Sequence, residues 1–253
     1  MTYLTTVLAD NPAHYWRLAD GSSLILHDIG SAPTHLAANV TVSGGYTGIE
    51  SLAGSQFSNT VNGVGFQDDR LMTIASPITV EAWFWQLRRR ASEGAIVELG
   101  DPTRRWALYV EATGTLAAYV SGVVLTAPAP VASEQAWHQL VLTFDELTAR
   151  LYFDGALVTS LPNIGHISTL CNCYVGETTA GTSPFCGFVS EVAVFPTALS
   201  AARIAAHFAA ASPLATPAGG VGGATSSSGA VLTITGSLDA LTGDVTKDLR
   251  NAP

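Results

Sequence analysis

The chain has 253 residues, a formal net charge of −9, and charged side chains at 12% of its positions, about half the usual ~25%. The acidic balance excludes a general nucleic-acid binder, which needs a basic footprint. The mean hydropathy is +0.30, yet no apolar run reaches the ~18–20 residues of a membrane helix, so one large β-sandwich core is expected, with both sheet faces covered or much surface meeting other protein.

In chain order, Met1–Thr6 carries neither the basic nor the apolar region of a secretion signal. The chain is therefore expected to stay in the cytoplasm or to leave by another route, such as inside a virion. Residues 3–9 read as a short helical turn ahead of Pro12. Pro77-Ile78-Thr79-Val80-Glu81-Ala82-Trp83-Phe84-Trp85 has the β-branched and aromatic content of a sandwich strand. Arg150–Phe153 and Ala156–Thr159 flank Asp154-Gly155, a signal for a type I′ hairpin. One helix follows, with Ser200 as its cap and Ile204 and Phe208 on its inner face. Ser212-Pro213 ends it, residues 212–229 have linker composition, and residues 230–253 form a tail with one short strand around Val231, Leu232 and Ile234. An isolated strand is not stable, so this tail is expected to add to a neighbouring subunit: a copy of the same chain or, if the chain leaves inside a virion, other virion proteins.

Seven segments occur in a fixed order. They are Asn11-Pro12-Ala13-His14-Tyr15-Trp16-Arg17-Leu18, Ile78–Phe84, Trp106–Val110, Trp137–Asp145, Arg150–Gly155, Ser190–Phe195 and Ala198-Leu199-Ser200. Together they resemble a laminin G-like domain of the concanavalin A-like lectin/glucanase superfamily, of the kind found in tailed-bacteriophage virion proteins, over residues 3–211. The resemblance implies an all-β fold: a two-sheet antiparallel jelly-roll sandwich with a short C-terminal helix and an extended tail. It also implies a non-enzymatic virion structural protein, a minor tail or capsid decoration component binding host-surface glycans. The alternative is a bacterial carbohydrate-binding or adhesion module.

Candidate chemistry is sparse. Glycosidases need two carboxylates at a fixed separation. Members of this superfamily that catalyse often carry Glu-x-Asp-x-x-Glu, whereas Glu81 has no acid two residues on and reads as an outward-facing strand residue. No Gly-x-Ser-x-Gly elbow or Gly-Lys phosphate loop occurs, so no catalytic residue is assigned. His138 reads as structural. No cofactor is expected; calcium is the candidate that the resemblance raises, with Asp28 at the early acidic position. Phe57-Ser58-Asn59 and Ser190, however, lack carboxylates that relatives carry. Cys171 and Cys173 share a strand face, and a hairpin through Glu177–Pro184 would bring Cys186 near one of them. That leaves a metal site, a cross-strand disulfide and buried thiols open. Arg88, Arg89, Arg90, Arg104 and Arg105 group around one inter-strand region, either as a docking patch for an acidic partner or as solvated turns.

Overall fold

Short runs of β-branched and aromatic residues separated by turn chemistry build two stacked antiparallel sheets. The elements are helix α1 (Tyr3–Leu8), then strands β1 (His14–Trp16), β2 (Ile25–Leu26), β3 (Leu36–Ala38), β4 (Ser43–Thr47), β5 (Ala53–Phe57), β6 (Phe66–Gln67), β7 (Met72–Ala75) and β8 (Ile78–Gln86). They continue with β9 (Gly94–Asp101), β10 (Arg104–Val110), β11 (Thr115–Val120), β12 (Val123–Val131), β13 (Trp137–Phe144), β14 (Thr148–Phe153), β15 (Ala156–Pro162), β16 (Ser168–Val175) and β17 (Gly187–Phe195), before helix α2 (Ala201–Ala210). The computed structural model describes residues 2–20, 25–38, 43–47, 53–57, 66–67, 72–88, 92–101, 104–120, 122–162, 168–178 and 183–211. All of these belong to the unit Met1–Ala218, and a second unit is Gly219–Pro253. The expected linker and tail strand lie outside the described residues.

The first sheet runs β15-β14-β13-β8-β17-β5-β4, with β1 on β17. The second runs β12-β11-β10-β9-β16-β6-β3-β2, with β7 on β16. Ile78, Val80, Ala82 and Phe84 of β8 face inward with Leu140, Leu142 and Phe144 of β13, and meet Trp106, Leu108 and Val110 of β10 in the inter-sheet core. Each large side chain fully buried in this layer contributes ~1.5–3 kcal/mol to folding. The β14–β15 hairpin turns as read: Asp154 (φ 48) and Gly155 (φ 78) both take the left-handed conformation of a type I′ turn.

The expected hairpin around the cysteines does not form. β16 belongs to the second sheet and β17 to the first, so the two strands do not pair. Cys173 and Cys186 are both buried, the first of them in the inter-sheet core.

The two helices cover the outer face of the first sheet. Thr2 caps α1 by accepting from the Thr5 backbone N–H, and Ser200 caps α2 by accepting from that of Arg203. Tyr3 and Val7 of α1 and Ile204 of α2 bury against Tyr15, Trp83, Val141 and Phe195. Phe208 stacks on Trp83 at 5.8 Å between centroids. The second sheet carries no helix on its outer face among the described residues.

Candidate functional site

The outer face of the second sheet collects aromatic and polar side chains. In the meander β9–β10–β11, Glu98 pairs with Ala107 and Ala107 with Tyr119. One position along, Tyr109 lies between Ala95 and Ala117. From β16, Tyr174 pairs with Glu98 and Asn172 with Gly100, and Gly100 pairs in turn with Arg105. Small residues at 95, 107 and 117 let the long side chains lie across the sheet. The Arg105 guanidinium sits 4.1 Å from the Tyr119 ring centroid and 5.4 Å from that of Tyr109, within cation–π range. Its Nη1 donates to Glu98 Oε2 (3.0 Å) and to the Tyr109 hydroxyl (3.2 Å), and that hydroxyl donates to the same Oε2 at 2.6 Å.

A second carboxylate extends the network. Glu93 Oε2 accepts from the Tyr119 hydroxyl (3.0 Å) and Oε1 accepts from Ser183 Oγ (3.1 Å). Burial, then the charge and hydrogen bond of Glu93, push the Tyr119 phenol up to about 12. Burial and the nearby Glu93 charge also raise Glu111 above the ordinary carboxylate value. Tyr119, Arg105, Glu93, Glu111 and Asn172 remain partly exposed, whereas Tyr109 and Glu98 are buried. Asn172 Oδ1 has no hydrogen-bond partner among the described residues. The face thus presents the partly exposed Tyr119 ring, braced by Arg105, and the partly exposed carboxylates of Glu93 and Glu111 to anything laid across it.

Glu81 corrects the sequence reading. It does point away from the inter-sheet core, but α1 and α2 close over it and leave it fully buried. Tyr3 OH and Gln139 Nε2 each donate to its Oε1 at 2.7 Å, and His207 Nδ1 meets its Oε2 at 2.7 Å. His207 Nε2 lies 2.8 Å from Asp10 Oδ2, and Arg203 grips the same carboxylate through Nε and Nη2. An imidazole can donate from both nitrogens only as the cation. Burial alone would depress the His207 pKa, but the hydrogen bonds and charges of Glu81 and Asp10 outweigh it and raise the pKa above its ordinary value. Beside this cluster the Tyr15 hydroxyl donates to Glu191, whose other oxygen takes Arg17 Nη2 at 2.8 Å. Glu81, His207 and Glu191 are fully buried, so this layer acts as a structural seal between sheet and helices.

The remaining sequence candidates fall elsewhere. Asp28 is tied up by the backbone N–H groups of Tyr15, Gly30 and Thr34 and by His14 Nδ1, at 2.7–2.8 Å. Burial opposes ionisation there, but these bonds together hold its carboxyl below the ordinary value, so it organises a loop. Ser190 is buried in β17. Ser58 and Asn59 lie outside the described residues, and among those described no group of His, Cys, Asp or Glu side chains is arranged to hold a metal ion. His138 has the expected structural surroundings. Its Nδ1 meets Asp154 Oδ2 and its Nε2 meets Ser133 Oγ, both at 2.8 Å, while Asp154 Oδ1 accepts from the Gln139 backbone. This series fastens the β14–β15 turn to β13. Arg88 is exposed after β8, and Arg105 is engaged with Glu98 rather than free. Arg89, Arg90, Val231, Leu232 and Ile234 lie outside the described residues. A pocket of about 200 Å³ beside His14, Ser76 and Phe195 falls below the ~300–1,000 Å³ of typical ligand sites.

Sequence reasoning missed Tyr109, Tyr119, Glu98 and Tyr174. The available signal was the alternation Arg105-Ala107-Tyr109 and Ala117-Tyr119, which places polar and aromatic residues on the face opposite Trp106, Leu108 and Ala118.

The family model described as the concanavalin A-like lectin/glucanases superfamily matches residues 58–205. No curated protein matches the chain. Among solved structures, it is similar to domain 4 of AbnA, an extracellular arabinanase of Geobacillus stearothermophilus solved with arabinotriose. The identity is 13% and the TM-score 0.62, over 78% of this chain and 98% of that one. It is also similar to the binding domain of Paraclostridial Mosquitocidal Protein 1 (14% identity, TM-score 0.62, 79% and 52% covered) and to that of botulinum neurotoxin serotype G (11%, 0.59, 78% and 50%). The chain spans about half the length of those two toxin chains.

Proposed function

Because the chain belongs to the concanavalin A-like lectin/glucanases superfamily, we propose that it is a non-catalytic carbohydrate-binding module carried as a structural component of a tailed-bacteriophage virion. The observation that carries the binding reading is the outer face of the second sheet, which bears no helix among the described residues and on which Tyr119, Arg105 and Glu93 remain partly exposed as an amphipathic polar surface. Sugars present apolar C–H faces to aromatic rings and hydroxyls to planar polar groups, and this face supplies both. The arabinotriose complex of the arabinanase domain supports the reading. Burial of Glu81 beneath two helices and the commitment of Glu98 to Tyr109 and Arg105 argue against the free acid pair that glycoside cleavage requires.

The virion setting rests on the opening segment Asn11–Leu18 and the short helix ahead of it, which resemble those of tailed-phage proteins. The tail, through Val231, Leu232 and Ile234, is the proposed anchor to neighbouring subunits by strand addition. A glycan array followed by calorimetry tests binding. Tyr119→Ala is expected to weaken a bound glycan about tenfold, the scale of one aromatic contact, measured at a temperature where the melting curve shows the variant folded. Array-wide absence of binding, or turnover of a bound glycan, would sink the reading. Mass spectrometry of purified virions tests the setting. A chain lacking residues 212–253 is expected to stay folded and lose assembly; normal incorporation of that variant would refute the anchor. Recovery as a secreted bacterial protein, never in particles, would favour the adhesion-module alternative.

A further inference from the structure

Among the described residues, this sheet face carries more negative than positive charge. The described charged side chains that register and hydrogen bonding place there are Glu93, Glu98, Glu111 and Arg105. The single cation is already neutralised, since Arg105 Nη1 is held 3.0 Å from Glu98 Oε2 and its guanidinium is spread over the Tyr119 ring. Glu93 and Glu111 have no cation among the charges placed on this face, and Glu93 disfavours ionisation of Glu111. A site for sialic or uronic acids needs an uncommitted guanidinium or ammonium to meet the sugar carboxylate. Here an incoming carboxylate would meet two surplus negative charges and an arginine whose charge Glu98 already balances. Carboxylates are acceptors only, and they suit hydroxyl donors.

We propose that this face takes uncharged, hydroxyl-rich glycans and discriminates against sialylated and uronic-acid-bearing ones, a specificity that rests on the carbohydrate-binding reading above. The test uses the full chain at low ionic strength on matched glycan pairs that differ only by a sialic or glucuronic acid residue. The neutral member of each bound pair is expected to bind about tenfold more tightly. Raising salt should narrow that gap, because exposed charges are screened over a Debye length of ~3 Å at 1 M. The double variant E93Q/E111Q keeps the Glu93 acceptor for Tyr119 and removes both surplus charges. It should bring the two members to within about twofold, provided its melting curve matches that of the parent. Equal or tighter binding of the acidic members, or a gap untouched by the double variant, overturns the specificity while leaving carbohydrate binding intact. Failure of every neutral and acidic glycan to bind overturns both.

Discussion

Replacing His207 with alanine would remove one imidazole and strand two carboxylates. In the intact protein Glu81 and His207 are fully buried and 2.7 Å apart, and Asp10 meets the other ring nitrogen at 2.8 Å. Taking one partner from a buried ion pair costs about 3–5 kcal/mol, because the remaining charge has lost both water and its counter-ion. Tyr3 and Gln139 still donate to Glu81, and Arg203 still holds Asp10, which places the expected loss near the lower end, about 3 kcal/mol. For a domain of this size that corresponds to a fall of roughly 6–12 °C in Tm. The same cluster sets a pH dependence. The folded-state pKa of His207 lies above its ordinary value, so this group's contribution is fully present below about pH 6.5 and is lost as pH rises through the raised folded value. Denaturant titrations at a series of pH values, on the parent and on His207→Ala, would isolate that slope. A loss below about 1 kcal/mol, or a pH slope identical in the two proteins, would refute an ionised His207 acting as the clasp between sheet and helices.

Other consequences are open to direct measurement. Asp154→Ala is expected to cost about 2 kcal/mol in urea unfolding, from loss of the charged bond to His138 and of the left-handed preference at the turn. Asp154→Asn, which keeps the backbone acceptor and tolerates φ 48, should cost less than half as much. Gly187→Ala should destabilise by at least about 2 kcal/mol, since an added Cβ would overlap the backbone carbonyl of Trp85. Site-resolved alkylation should leave Cys173 and Cys186 unmodified until denaturant is added, as both thiols are buried.

What could be read from the sequence divides by distance along the chain. The β14–β15 hairpin was legible because Asp154-Gly155 encodes its own turn, and α2 was legible because Ser200, Ile204 and Phe208 lie within three turns of one another. Strand β8 was recognisable, and its two faces are apolar because helices cover one of them: Trp83 and Trp85 need cover as much as Val80 and Phe84 do. The helical cover could not be attached to Glu81 in advance, because its partners stand 78, 58 and 126 residues away. The cysteine hairpin failed for a related reason. Local spacing cannot tell a turn within one sheet from a connection that changes sheets. Arg105 stands out in the sequence as part of a charge cluster, yet its neutralisation depends on strand register, which sets Glu98 and Tyr119 across from Ala107.

The double lid over the first sheet also fixes an order of events during synthesis. Glu81 leaves the ribosome 126 residues before His207, so most of the sandwich exists before its outer layer can close. Until then Trp83 and Phe195 flank a carboxylate without its counter-ion, and α1, at six residues, is too short to hold its shape alone. The N-terminal helix must therefore wait for the strands that Tyr3 and Val7 pack on, among them β17 with Phe195. A nascent chain arrested ahead of α2 would display an unfinished aromatic surface, the kind of exposed apolar patch on which chaperones and proteases act.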